Sequence, residues 1–86
     1  MVNDRTTRWI LLVEDDDKFA RLVRDYLSTT LGLDVVIEGR GDRAVHRILN
    51  ENPDLVILDI MLPGLDGLSV CRDVRDGYRG PILMLT

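Results

Sequence analysis

Three acidic residues stand at the ends of apolar runs, where acidic side chains are costly: Glu14, Asp15 and Asp59. Asp59 closes Leu55-Val-Ile-Leu58, and Glu14-Asp15 follows Trp9-Ile-Leu-Leu-Val13. Burying a carboxylate is expensive unless a cation or a hydrogen-bond donor meets it. If the two runs are neighbouring strands, their ends lie about 5 Å apart and the three carboxylates converge on one crevice. Like charges that close raise one another's pKa until a cation neutralises them. Mg2+ suits such a set, because it takes hard oxygen ligands and needs only one or two carboxylates beside water and phosphate oxygens. Asp59 is then the reactive carboxylate. The competing reading makes Glu14 to Asp17 a solvated helix cap, which accounts for Asp16 and Asp17 but leaves Asp59 unexplained.

The elements that must position these residues follow from the hydrophobic period. Trp9–Val13 is a short, continuously apolar strand of the kind buried on both faces. After it the period becomes helical, with Phe19, Leu22, Val23, Tyr26, Leu27, Thr30 and Leu31 on one predicted face. Asp16 or Asp17 is the N-cap, and Gly32 supplies the stop. Val35–Ile37 is a second strand, and Glu38-Gly-Arg-Gly-Asp42 makes a turn from which Asp42 caps a helix to about Asn50. Ala44, Val45, Ile48 and Leu49 form that helix's apolar stripe, and Asn52-Pro53 closes it. Leu55–Asp59 is the third strand and Met61–Gly67 the loop after it. A third helix runs from about Leu68 to Arg75, with Leu68, Val70, Cys71 and Val74 inward. Gly77–Pro81 is turn material, and Ile82–Thr86 reads as a fourth strand. Alternating strands and helices of this length predict an α/β fold with right-handed parallel crossovers.

Composition sets the outer limits. Eighty-six residues allow one domain. A net charge of −4 leaves no basic footprint for direct nucleic-acid contact. Cys71 is the single cysteine, so no internal disulfide forms, which fits a reducing cytoplasm. No apolar run approaches a membrane span, and the polar start, residues 1–7, reads as a disordered lead-in rather than a signal peptide.

Three stretches in register resemble the receiver domain of bacterial two-component response regulators. Ile10-Leu-Leu-Val-Glu-Asp-Asp16 resembles the family's acidic motif, Asp54-Leu-Val-Ile-Leu-Asp-Ile-Met-Leu-Pro-Gly-Leu-Asp-Gly67 its phosphoacceptor strand and loop, and Pro81-Ile-Leu-Met-Leu-Thr86 its fourth strand. Residues 61–75 are most similar to the OmpR/PhoB subfamily, whose members carry a winged-helix DNA-binding domain after the receiver. The resemblance covers residues 8–86. It implies a flavodoxin-like (CheY-like) doubly wound parallel sheet of order 2-1-3-4-5, here an incomplete receiver truncated after the fourth strand. It further implies that Asp59 accepts a phosphoryl group from a sensor histidine kinase. Asp15, Asp59 and the Met61 carbonyl would bind Mg2+, Glu14 would hold a water of that ion, and the Thr86 hydroxyl would report phosphorylation. Pro63 and Gly64 would keep the loop rigid, and Asp66 would cap the third helix. On this reading the chain is a signalling domain and not an enzyme in the usual sense, and DNA is reached through a C-terminal effector domain.

The family's fifth strand, its last two helices, its switch aromatic and its phosphoryl-contacting lysine have no counterpart, since Lys18 is the sequence's single lysine. Inactivity of this stretch by itself is therefore an alternative. The exposed edge of strand four predicts self-association, through an edge-paired or intertwined dimer. Two other readings remain: a Mg2+-dependent phosphatase or phosphotransferase of the haloacid dehalogenase type, and a pseudo-receiver that binds a partner without phosphorylation. His46 is read as solvent-facing, Cys71 as a small core residue, Lys18 as a solvated surface residue, Arg40-Gly41-Asp42 as loop chemistry, and Trp9 as packing at the edge of the sheet.

Overall fold

The structure, a computed structural model, describes residues 8–85. The expected lead-in over residues 1–7 and the Thr86 hydroxyl lie outside the described residues. The elements follow in the order β1 (Trp9–Val13), α1 (Asp17–Leu31), β2 (Asp34–Glu38), α2 (Gly41–Glu51), β3 (Leu55–Asp59), α3 (Gly67–Val74) and β4 (Ile82–Leu85). All strand pairs are parallel, in the sheet order β2-β1-β3-β4. This is the doubly wound α/β arrangement expected from the sequence.

Local signals explain the element ends. The Asp16 carboxylate accepts from the Phe19 N–H at 3.1 Å, so Asp16 is the cap of α1. Gly32, at φ 68°, ends α1. Its N–H donates to the Ser28 carbonyl at 3.1 Å, and Leu33 N–H donates to the Leu27 carbonyl at 3.4 Å. The α2 helix differs from expectation at its start and ends where expected. Its N-cap is Arg40 with no side-chain bond, and Asp42 sits inside the first turn paired with Arg40. Asn52 closes it in the left-handed conformation, at φ 51°.

The sheet divides the core into two unequal halves. On one face α2 and α3 cover Leu11, Val13, Ala44, Ile48, Val56, Leu58, Val70, Val74 and Tyr78. Burying an aliphatic side chain of this size contributes about 1.5–3 kcal/mol relative to leaving it exposed. On the other face α1 covers Ile10, Leu12, Ala20 and Ile57.

Several inward assignments need correction. Of the predicted α1 face, Val23 and Leu27 pack on the sheet with Ala20, whereas Phe19, Leu22, Tyr26 and Leu31 are exposed. Seven residues make too wide a stripe for one helix lying on a flat sheet; only the narrow central line can touch it. Leu49 and Leu68 are exposed for the same reason, at the margins of their helices. Trp9 opens the central strand β1 and packs against the α2/α3 core, so it is not at the sheet edge. Tyr78, expected in a turn, is the largest fully buried side chain, and its hydroxyl donates to the Pro53 carbonyl at 2.8 Å.

Candidate metal centre

The register places the acidic residues together. Val13 of β1 pairs with Leu58 of β3, so Glu14-Asp15 and Asp59 leave the same end of adjacent strands. Glu14, Asp15 and Asp59 each offer a carboxylate oxygen, and all three oxygens lie within 4.8 Å of one another. The sequence reading brought these three together, and the fold does the same.

The electrostatics of the cluster are unbalanced. Glu14 is only 7% exposed. Burial pushes its carboxyl above the ordinary glutamate range; the Asp16 N–H, donating to Oε2 at 3.0 Å, opposes this, and the charges of Asp59, Asp15 and Asp16 push it further up. Among the described residues, no arginine or lysine forms an ion pair with Glu14, Asp15 or Asp59. A cluster of acids with hard oxygen donors, one nearly buried and none neutralised from within the chain, fits a divalent cation.

The loop after Asp59 is tightly folded. Gly67 donates its N–H to the Ile60 carbonyl at 2.7 Å, and its backbone lies so close to the end of β3 that an added Cβ would stand 2.8 Å from Ile60 Cα. Only glycine permits that approach. Asp66 caps α3, accepting from the Ser69 N–H at 2.9 Å and from its hydroxyl at 3.0 Å. Those bonds, the N–H first, hold the Asp66 carboxyl below the usual range, so it is engaged as a cap. Between them Met61 is 78% exposed. An open cleft runs beside the cluster, lined by Asp15, Ile60, Met61, Leu62, Asp66 and Leu68.

A second buried carboxylate was not singled out from the sequence. Glu38, 8% exposed at the end of β2, meets Arg47 at 3.6 Å and accepts the Arg40 N–H at 3.2 Å. The signal was available, because Glu38 also closes an apolar run, Val35–Ile37. His46 is exposed, as expected, and Cys71 packs at the margin of the larger core.

Comparison with known proteins follows the same lines. The response regulator receiver domain model matches residues 10–86. The chain is 52% identical over 77 residues to the transcriptional regulatory protein RstA of Escherichia coli (strain K12), covering 90% of this chain and 32% of that protein. It thus spans about a third of the length of that relative. The BeF3-activated N-terminal receiver domain of Klebsiella pneumoniae RstA superposes with a TM-score of 0.85 at 52% identity, over 92% of this chain and 67% of that one. The receiver domain of the sensor histidine kinase PA1611 from Pseudomonas aeruginosa PAO1, solved with a magnesium ion coordinated in its active-site cleft, superposes with a TM-score of 0.81 at 35% identity. It matches over 93% of this chain and 67% of its own. With its fold, its acidic strand ends and the loop behind Asp59, the chain belongs to the response regulator receiver domain family.

Proposed function

We propose that this chain is the phosphoacceptor part of a two-component response regulator, with Asp59 as the residue phosphorylated by a sensor histidine kinase. The observation that carries the reading is the uncompensated meeting of Glu14, Asp15 and Asp59 at the ends of two adjacent parallel strands. In the transfer, an Asp59 carboxylate oxygen forms a bond to phosphorus as the bond from phosphorus to the donor histidine nitrogen breaks, and the nitrogen leaves with that electron pair. Such a transfer needs mainly alignment and charge neutralisation.

Asp15, Asp59 and the Met61 carbonyl would hold Mg2+, and Glu14 would hold a water of that ion. When bound, the ion neutralises the carboxylates and the incoming phosphoryl oxygens. Asp59 supplies the nucleophile, and Gly67 keeps the following loop folded against its backbone. The Thr86 hydroxyl reads out phosphorylation. The domain is a signalling switch that catalyses its own modification, and it works in the cytoplasm; among the described residues no helix is long and apolar enough to cross a membrane. The likeness to RstA supports a transcription regulator whose DNA-binding effector domain follows the receiver.

The test is incubation with acetyl phosphate and Mg2+ followed by mass spectrometry. A phosphoryl group on Asp59, absent from Asp59→Asn, is the expected result. The proposal extends to self-association: β4 is an edge of the described sheet, its Ile82-Leu-Met-Leu85 run is uncharged, and Leu83 is 54% exposed. An edge of this kind pairs with a second copy. Analytical ultracentrifugation giving only monomer at micromolar concentration would sink that part.

A further inference from the structure

The junction of β2 with the first residues of α2 does more than connect them. Gly41 N–H donates to the Pro63 carbonyl at 3.0 Å, in the middle of the loop that follows Asp59. The two backbones are in such close contact that a Cβ on Gly41 would overlap the Leu65 carbonyl oxygen, stand 2.7 Å from the Leu65 carbonyl carbon and press on Val70 Cγ2 at 3.1 Å. Those first two atoms are backbone, so no rotamer change relieves the overlap; the loop itself would have to move. On either side of Gly41, Arg40 and Asp42 form an ion pair at 3.0 Å that lies against Gly64. Gly64 has φ 84°, and a Cβ there would meet the Asp42 carboxylate and stand 2.8 Å from Arg40 Nη2. The junction is fixed from behind by Glu38, whose carboxylate takes the Arg40 N–H and pairs with Arg47.

We infer that Arg40-Gly41-Asp42 is a positioning clamp for the phosphoacceptor loop. The loop is tied to the end of β3 by Gly67, and its middle is held from the side by Gly41 and the Arg40–Asp42 pair. Neither Arg40, Gly41 nor Asp42 is among the clustered carboxylates. The clamp acts through the loop, fixing the path of the Met61 backbone and hence the divalent-ion site proposed above. The inference rests on that proposal.

The test is Mg2+ binding by isothermal titration calorimetry, with thermal melting in EDTA as a parallel readout. Gly41→Ala should weaken Mg2+ binding by about tenfold, as loss of outer-shell support at metal sites does. Phosphorylation by acetyl phosphate should slow in step. Gly39→Ala is the control, because its Cβ meets only the Glu14 carbonyl at an ordinary 4.0 Å. It should leave Mg2+ affinity within about twofold, as substitutions away from special contacts do. Should Gly41→Ala fail to fold, Arg40→Ala, which removes the ion pair against Gly64 without adding bulk, should still weaken Mg2+ binding measurably while the protein melts cooperatively. A folded Gly41→Ala, or a folded Arg40→Ala in its place, that binds Mg2+ as the wild type does would overturn the clamp. If the wild type itself neither bound Mg2+ nor took up phosphoryl on Asp59, the proposed function would fail first.

Discussion

Glu14 and Glu38 stand at the ends of neighbouring parallel strands, and both are nearly buried, yet their surroundings differ in one decisive respect. Glu38 faces Arg47 at 3.6 Å and the Arg40 N–H at 3.2 Å, so its charge is met from within the fold. Glu14 faces Asp15 and Asp59, and among the described residues the one bond its side chain makes is with the Asp16 N–H. Burial alone therefore does not mark a functional carboxylate. A buried acid with its own cation is architecture; a buried acid among other acids needs a cation from outside.

The contrast can be broken by substitution. The largest effect is expected at the exposed member of the cluster. Asp15→Asn should weaken Mg2+ binding by more than about a hundredfold, because a direct ligand costs more than the roughly 10–100-fold of an outer-shell partner. Calorimetry giving an unchanged affinity would remove Asp15 from the site. The matched pair Glu14→Gln and Glu38→Gln comes next, since both preserve shape and a hydrogen-bond acceptor. Glu14→Gln should weaken Mg2+ binding by about tenfold. In EDTA it should raise Tm by about 2–5 °C, because repulsion and charge burial are both relieved. Glu38→Gln should do the reverse, lowering stability by about 1 kcal/mol through the lost Arg47 pairing, and should weaken Mg2+ binding less than Glu14→Gln does, because its amide oxygen can still accept the Arg40 N–H behind the loop. Chemical denaturation in EDTA reads both, and the same sign for the two substitutions would end the distinction.

The smallest effect lies in pH. The folded-state pKa of Glu14 is raised above its unfolded value, so the metal-free folded protein holds that proton more tightly. The stability this gives is complete below the unfolded glutamate value of about 4.3 and is lost as pH rises through the raised value. In EDTA, wild type should therefore fall behind Glu14→Gln as pH climbs above that point, and Mg2+ should close the gap. Parallel melting curves at every pH would show that Glu14 is not strained by its neighbours.

How much of this could be read from the chain alone depends on range. Features set by neighbours in sequence were legible, namely the strand runs, the Asp16 and Asp66 caps and the Gly32 stop, whereas the order that places β1 beside β3 came from the family resemblance. The convergence of Glu14, Asp15 and Asp59 was legible because it needs only that pairing. Family membership and the position of Asp59 after the third strand also set aside the haloacid dehalogenase reading, whose nucleophile follows the first. What failed depends on which flank another element covers. Tyr78 lies in a glycine-flanked turn, and nothing local says that the turn folds under α2's exit to reach Pro53. Phe19, Leu22 and Tyr26 have the right spacing for a buried face, but the sheet touches the adjacent line through Ala20. The contact of Gly41 with Pro63 and Leu65 joins two loops far apart in sequence, and a glycine in a turn carries no trace of it.

The central claim is that Asp59 is a Mg2+-dependent phosphoacceptor. Mass spectrometry after incubation with acetyl phosphate tests it most directly, on this chain and on a version lengthened to the full span of the receiver domains it matches. The account predicts one phosphoryl group on Asp59 in the lengthened protein, dependent on Mg2+ and absent from Asp59→Asn. A folded, lengthened protein that binds Mg2+ and leaves Asp59 unmodified would contradict it.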